Sequence, residues 1–375
     1  MPVQIYQLQA LWNRTQDAAL LRRFFPGARR MHRFLAGRGD GSRTRTLASG
    51  LVRTWDYFYN SGGWDDYPPQ KFIRGTKLTA SVAPVVNSAH AIRTARLLRA
   101  MAGQLGEPVG EFDADIASLT DALQRHSWNQ ASGWFSYVRH DEAGRAVGPL
   151  LHESGADFNR GLDGIYPLVA GICTPEQEAI FLRRLRDESV FWTRCGLSTV
   201  DRSAPYYRVD GYWNGAVWMP HQWFFWKTLL DLGEGELAWQ IAHTAQHTWE
   251  AEVRATGCCF EHFIVATGRG AGWHQFGGLS SPLLNWFTAY FRPGALHGGF
   301  DCWILDQSAT RTSLQARLRL TGNASKRPTV LAVVPDLAEP SVRWNGQVVP
   351  AKTRHAGTLE ITLPAGAGEG TLVID

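Results

Sequence analysis

Residues 214–231 read Asn214-Gly215-Ala216-Val217-Trp218-Met219-Pro220-His221-Gln222-Trp223-Phe224-Phe225-Trp226-Lys227-Thr228-Leu229-Leu230-Asp231. The run is apolar nearly all round. A helix with no polar face has no side to give to water, so this one belongs inside a core. A few residues later, 236–252 alternate apolar and polar positions at helical spacing, with Leu237, Ile241 and Ala245 on one face. The pair is therefore one buried helix followed by one half-exposed helix.

The same rhythm extends in both directions. Residues 3–13 and 17–36 predict a helix pair, the second with Leu20, Leu21, Phe24 and Phe25 as its apolar stripe. Residues 79–104 carry Val82, Val85, Val86, Ala89, Ile92 and Ala95 at 3.6-residue spacing, and 110–126 follow as a more polar helix. Residues 175–187 open with Thr174, Pro175 and Gln177, the signature of a capping box with proline in the first turn. Residues 279–291 predict the last helix. Long loops rich in glycine and aromatics join them at 55–76, 128–158, 190–213 and 256–278. Buried and half-exposed helices in alternation suit two concentric rings, with the loops gathered at one end as a cleft.

After Pro293 the period changes from 3.6 to 2. Leu314, Ala316, Leu318 and Leu320 alternate with polar residues, as do Leu359, Ile361 and Leu363. Asn345-Gly346 between Val342–Trp344 and Gln347–Val349 is a two-residue hairpin signal. The expected organisation is a helical domain over 1–292 and a small antiparallel β-sandwich over 300–375.

Length and composition agree. The 375 residues, 44% hydrophobic and 19% charged, fit a globular protein with room for two domains. The net charge of 38 − 34 = +4 is too mild to suggest a nucleic-acid partner, even with Arg22, Arg23, Arg29, Arg30 and Arg33 close together. No run is apolar and long enough for a membrane span. Five scattered cysteines make no disulfide or zinc pattern. No signal peptide is visible after Met1, so a cytoplasmic location is expected, subject to a truncated N-terminus. Sixteen tryptophans are many, and several lie among glycines and polar residues. Flat rings beside hydrogen-bonding groups suit a sugar cleft, and they suit a ring-rich core equally well.

Three loops hold candidate chemistry. The first is Tyr59-Asn60-Ser61-Gly62-Gly63-Trp64-Asp65-Asp66-Tyr67-Pro68-Pro69-Gln70. It sets two adjacent carboxylates among rings, and an apolar setting favours the protonated form that a general acid needs. An Asx-turn leading into a helix explains the same residues. The second is Cys259-Phe260-Glu261-His262-Phe263, followed by Gly268-Arg269-Gly270-Ala271-Gly272-Trp273-His274-Gln275-Phe276. Glu261 is a carboxylate between aromatics, either used in chemistry or paired with an arginine. The third, Tyr212-Trp213-Asn214-Gly215-Ala216-Val217-Trp218, lies at the mouth of the buried helix and suits a sugar subsite or core packing. His243 and His247, four apart on a helix, have no evident third metal ligand, so no metal and no other cofactor is expected.

Together, Gly63–Pro68, Tyr212–Trp218, Phe260-Glu261 and Phe276–Ser281 resemble glycoside hydrolase family 63, and most closely its mannosylglycerate-hydrolase-like branch. The resemblance covers about residues 1–292. It implies an (α/α)6 barrel of six helical hairpins and inverting hydrolysis of α-glucosidic or α-mannosidic linkages. It implies Asp65 as general acid and Glu261 as general base. Trp64, Asp66, Tyr212, Trp213, Asn214, Trp218, Trp273, His274 and Gln275 would contact the sugar. The substrate would be an α-linked oligosaccharide or small glycoside. Asn214 stands where the family often has arginine. The pattern yields about nine helices where six hairpins need twelve, so an N-terminally truncated, incomplete barrel is expected, with a partner chain or oligomer covering it. A trehalase-like or debranching-type enzyme, or an inactive carbohydrate-binding fragment, fits the same motifs.

Overall fold

The computed structural model describes residues 2–39, 41–53, 64–355 and 357–375. Ten α-helices occur among them: α1 Val3–Thr15, α2 Ala18–Leu35, α3 Pro68–Gly75, α4 Val85–Leu105, α5 Gly110–Ala122, α6 Tyr166–Ala170, α7 Pro175–Arg186, α8 Met219–Leu232, α9 Gly235–Thr256 and α10 Gly277–Phe291. Local chemistry sets their ends. The Asp17 carboxylate accepts the amides of Ala19 at 2.7 Å and Leu20 at 3.2 Å, capping α2. Thr174 and Gln177 form the capping box of α7. Two starts come later than the periodicity suggests. Proline lacks an amide to donate and fits a helix at its first turn, so α4 begins just after Pro84 and α8 begins at Met219 with Pro220 in its first turn. The stripe expected on α2 is half right: Leu21 and Phe25 are buried, whereas Phe24 faces solvent.

The helices pack in pairs, α1 with α2, α4 with α5 and α8 with α9, while α4 also touches α2 and α6, and α8 touches α6 and α10. Rings from four helices meet at the centre. Tyr6 of α1 lies 4.9 Å from Phe224 of α8, and Tyr166 of α6 lies 4.9 Å from His90 of α4 and 5.9 Å from Phe224. α4 and α8 are buried on almost every side, and α9 buries one stripe. One flank is uncovered. Leu284 and Phe287 of α10 are 73% and 59% exposed, and Val3 and Leu11 of α1 also face outward.

The last eighty residues form two antiparallel sheets. In one, Cys302–Ala309, Leu314–Leu320, Gly368–Ile374, Val342–Trp344 and Gln347–Val348 lie side by side in that order. In the other the order is Leu296–His297, Thr329–Val333, Thr358–Thr362 and Ala351–His355. Leu314, Ala316, Leu318 and Leu320 point into a core shared with Val330, Ile361, Leu372 and Ile374. The Asn345-Gly346 turn has φ of 51° and 81°, the left-handed pair that a tight hairpin of this twist requires. Phe300, Trp303 and Leu331 join the helical core instead. At that junction Asn13 of α1 donates to the Cys302 carbonyl at 3.0 Å and accepts from the Ile304 amide at 3.0 Å. The Asp231 carboxylate accepts the amides of Phe300 at 2.8 Å and Asp301 at 3.0 Å. Arg93, only 1% exposed, donates to Asp301 at 2.6 Å. No helix among the described residues is long and apolar enough to cross a membrane.

Candidate active site

The three motif loops converge. Val217 and Phe263 exchange backbone hydrogen bonds of 2.9 and 3.0 Å, laying the Glu261 loop along the entrance to α8. The short strands His262–Phe263 and Gly270–Ala271 close a hairpin on this seam. Glu252 of α9 fixes the hairpin from behind. Its buried carboxylate accepts Arg269 Nε at 2.7 Å, the second Arg269 nitrogen at 3.0 Å and the Gly270 amide at 2.9 Å. Sequence reading left open whether an arginine holds Glu261. The arginine holds Glu252.

Glu261 is half-buried and held at both oxygens. Tyr212 donates its hydroxyl to Oε1 at 2.6 Å, and the Trp273 amide donates to Oε2 at 3.1 Å. Gly272, with φ of 75°, lies under that second oxygen, and a Cβ there would collide with it. No side chain fits at 272 without moving the carboxylate. The Tyr212 hydroxyl resists ionisation because it is buried, because it bonds to Glu261, and because the charge of Asp65 lies nearby. One phenol thus senses both candidate carboxylates.

Rings form the floor. Trp213 and Trp218 stack at 3.8 Å with planes 12° apart, and Trp218 stacks on His262 at 5.0 Å. Tyr212 meets Trp218 edge-on at 5.0 Å. Trp64 continues this layer, 5.2 Å from Trp213 and 4.2 Å from His221. It is 0% exposed, so its ring supports the floor from below. The indole nitrogens of Trp64 and Trp218 and Nδ1 of His262 are buried with no hydrogen-bond partner among the described residues.

The remaining candidates occupy different settings. Asp65 and Asp66 are exposed, with Asp66 3.8 Å from Lys71, and among the described residues the expected crowding of rings around these carboxylates does not extend to Trp64 and Tyr67. The rings of Trp64 and Tyr67 turn inward and leave the acids outside. The preceding part of that motif, Tyr59 to Gly63, lies outside the described residues. Asn214 hydrogen-bonds within its own loop, accepting the Tyr212 amide at 3.1 Å and donating to the Tyr206 carbonyl at 3.4 Å. Trp273 is 63% exposed and stacks on His274, while Gln275 is exposed beside them. His243 and His247 hold their Nε2 atoms 3.0 Å apart, but no group of three potential metal ligands occurs among the described residues. A cavity of about 680 Å³ between α9 and α10 takes in neither Asp65 nor Glu261. Another, of about 480 Å³, runs behind Trp213 and Trp218 between α1 and α10.

His221 beneath the floor had no signal in the sequence beyond its place near the mouth of α8. It bonds through Nδ1 to the Tyr166 hydroxyl at 2.6 Å, and burial pushes its pKa down to about 3 from 6.5. Below pH 6.5 the unfolded chain takes up a proton there that the folded chain refuses. The associated stability is whole above pH 6.5 and falls toward pH 3, by up to about 1.4 kcal/mol per pH unit. We expect His221→Asn to flatten the decline of unfolding free energy between pH 6 and 4, measured by urea denaturation. An unchanged slope would contradict the buried neutral imidazole.

Comparison with known proteins gives the family and the fold. Residues 2–277 match the model of the mannosylglycerate hydrolase MGH1-like glycoside hydrolase domain. The fold is similar to that of the family 63 mannosylglycerate hydrolase from Thermus thermophilus in complex with glucose. The TM-score is 0.56 and the identity 22%, over 76% of this chain and 74% of that one. The same enzyme with Tris and D-glycerate gives 0.54 and 20%, over 76% of each chain. Neutral trehalase from Saccharomyces cerevisiae gives 0.50 and 14%, over 72% of this chain and 57% of that one. The chain belongs to the family of MGH1-like glycoside hydrolase domains and is a glycoside hydrolase.

Proposed function

We propose that this glycoside hydrolase cleaves α-glucosidic or α-mannosidic bonds of a small glycoside or oligosaccharide with inversion at the anomeric carbon. Asp65 protonates the glycosidic oxygen as the bond to the anomeric carbon breaks. Glu261 removes a proton from a water that attacks the opposite face. A water must fit between base and sugar, so the two carboxyl groups stand about 6.5–9.5 Å apart in the working enzyme. The observation that carries the reading is the double hold on Glu261 by the Trp273 amide and the Tyr212 hydroxyl. Two donors fix the direction of the carboxylate lone pairs, which a base aimed at one water requires. Trp273 supplies exposed ring surface for a sugar above the buried Trp213–Trp218 stack, with Asp66, His274 and Gln275 at its rim. In this reading residues 1–292 form an open (α/α)6 arrangement and residues 300–375 a β-sandwich packed against it.

The Thermus enzyme's complexes with glucose and with D-glycerate make mannosylglycerate and glucosylglycerate the first substrates to try. Release of reducing sugar from these and from α-linked disaccharides tests activity. Proton NMR of the first product formed tests stereochemistry. The β-anomer from an α-glycoside is expected. The α-anomer would overturn inversion, and binding without hydrolysis across the panel would point to an inactive carbohydrate-binding member.

A further inference from the structure

We propose that Tyr67, Asn159 and Asp163 form a buried relay that orients Asp65, a positioning role that rests on the assignment of Asp65 as general acid. Asp65 and Asp66 project from a tight turn whose two ends are both buried. The Tyr67 amide closes the turn onto the Trp64 carbonyl at 3.2 Å, and the two rings pack at 4.9 Å. What fixes the turn in space is polar. Tyr67 donates its hydroxyl to Asn159 Oδ1 at 2.8 Å. Asn159 Nδ2 donates to the Phe135 carbonyl at 2.9 Å and to Asp163 Oδ1 at 3.3 Å. Asp163 in turn accepts the Val86 amide in the first turn of α4 at 3.1 Å and the Tyr137 hydroxyl at 2.7 Å. Gln70 of α3 donates to that same phenol at 2.8 Å.

These five side chains are all fully buried. Besides joining one another, these side chains pair the buried Val86 amide and Phe135 carbonyl, so the network fixes backbone on both sides of the turn and shifts as a unit if one member is lost. Its reach is specific. It ties the turn bearing Asp65 to α4 on one side and to the 157–163 segment on the other, and the contact is tight. A Cβ on Gly161 would collide with the Tyr67 hydroxyl. An exposed acid on a short turn must be held within about 0.5 Å of its working position, and the groups behind it do the holding.

Tyr67→Phe deletes one hydroxyl and leaves the ring. The test compares two substrates of the wild type and this variant: an alkyl α-glycoside, whose leaving group needs a proton, and the matching α-glycosyl fluoride, whose leaving group needs little help. A misaimed acid lowers kcat on the alkyl glycoside by about 10²-fold, leaves KM in place, and spares the fluoride. Asp163→Asn, nearly the same shape, serves as the second variant if Tyr67→Phe does not fold, and gives the same split. Equal losses on both substrates, or no loss on either, would overturn the relay. Asp65→Asn run alongside separates the two proposals. If it keeps turning over the alkyl glycoside, the acid assignment itself falls. If it is inactive there while Tyr67→Phe shows no split, only the relay falls.

Discussion

Glu261→Gln is expected to lower kcat by about 10²–10⁴-fold on every substrate, including the activated fluoride. The reason lies in what the base acts upon. In the proposed mechanism it deprotonates the attacking water, a step required whatever group departs. Asp65→Asn should behave differently, abolishing turnover of alkyl glycosides while leaving much of the activity on the fluoride. The amide oxygen introduced by Glu261→Gln can still accept the Tyr212 hydroxyl, while its NH2 faces the Trp273 amide and forfeits that one bond, so the loss should sit mainly in kcat. Steady-state kinetics with both substrates checks the contrast. A Glu261→Gln enzyme that spares the fluoride would exchange the two roles, and one with ordinary activity would remove Glu261 from the chemistry.

Asp301→Ala should be among the most destabilising single changes in the chain, at about 3–5 kcal/mol. It strands the guanidinium of Arg93 inside the junction between helices and sheets. Burial works against that charge, and Asp301 outweighs it with help from Asp231. Removing one partner leaves an uncompensated buried cation, whereas removing both need cost little. The double variant Arg93→Met, Asp301→Ala should therefore recover much of the loss in urea denaturation. A single variant within about 1 kcal/mol of wild type, the size of one ordinary hydrogen bond, would show that Asp231 alone suffices for Arg93.

Much of the fold was legible because its signals are local. The Thr174 capping box, the Asn345-Gly346 turn and the alternation after Leu314 each reside in a few adjacent residues, and all three occur as read. The contrast between all-apolar α8 and one-sided α9 likewise survives in the burial. α3 and α6 escaped because helices of 8 and 5 residues offer too few positions for a period to appear. The misplaced stripe on α2 has a different cause. Phe24 is as apolar as Leu21 and Phe25, and only the packing of α1, α4 and α5 around α2 decides that it is the one left in solvent. At the site, the motifs singled out Asp65, Tyr212 and Glu261, but their mutual arrangement was invisible. The hold of Glu252 on Arg269 spans 17 residues and that of Tyr67 on Asn159 spans 92, so neither leaves a mark in composition or spacing.

The uncovered flank of α10 has a consequence for how the enzyme wears out. Its first turn follows directly on the Trp273 loop, while Leu284 and Phe287 turn toward solvent, Phe287 stacked on Phe291. Segments with few apolar neighbours open at lower free energy than the molecule as a whole. Gentle warming should thus loosen the Trp273 amide's hold on Glu261 before the remainder melts, and catalysis should fade ahead of the calorimetric transition.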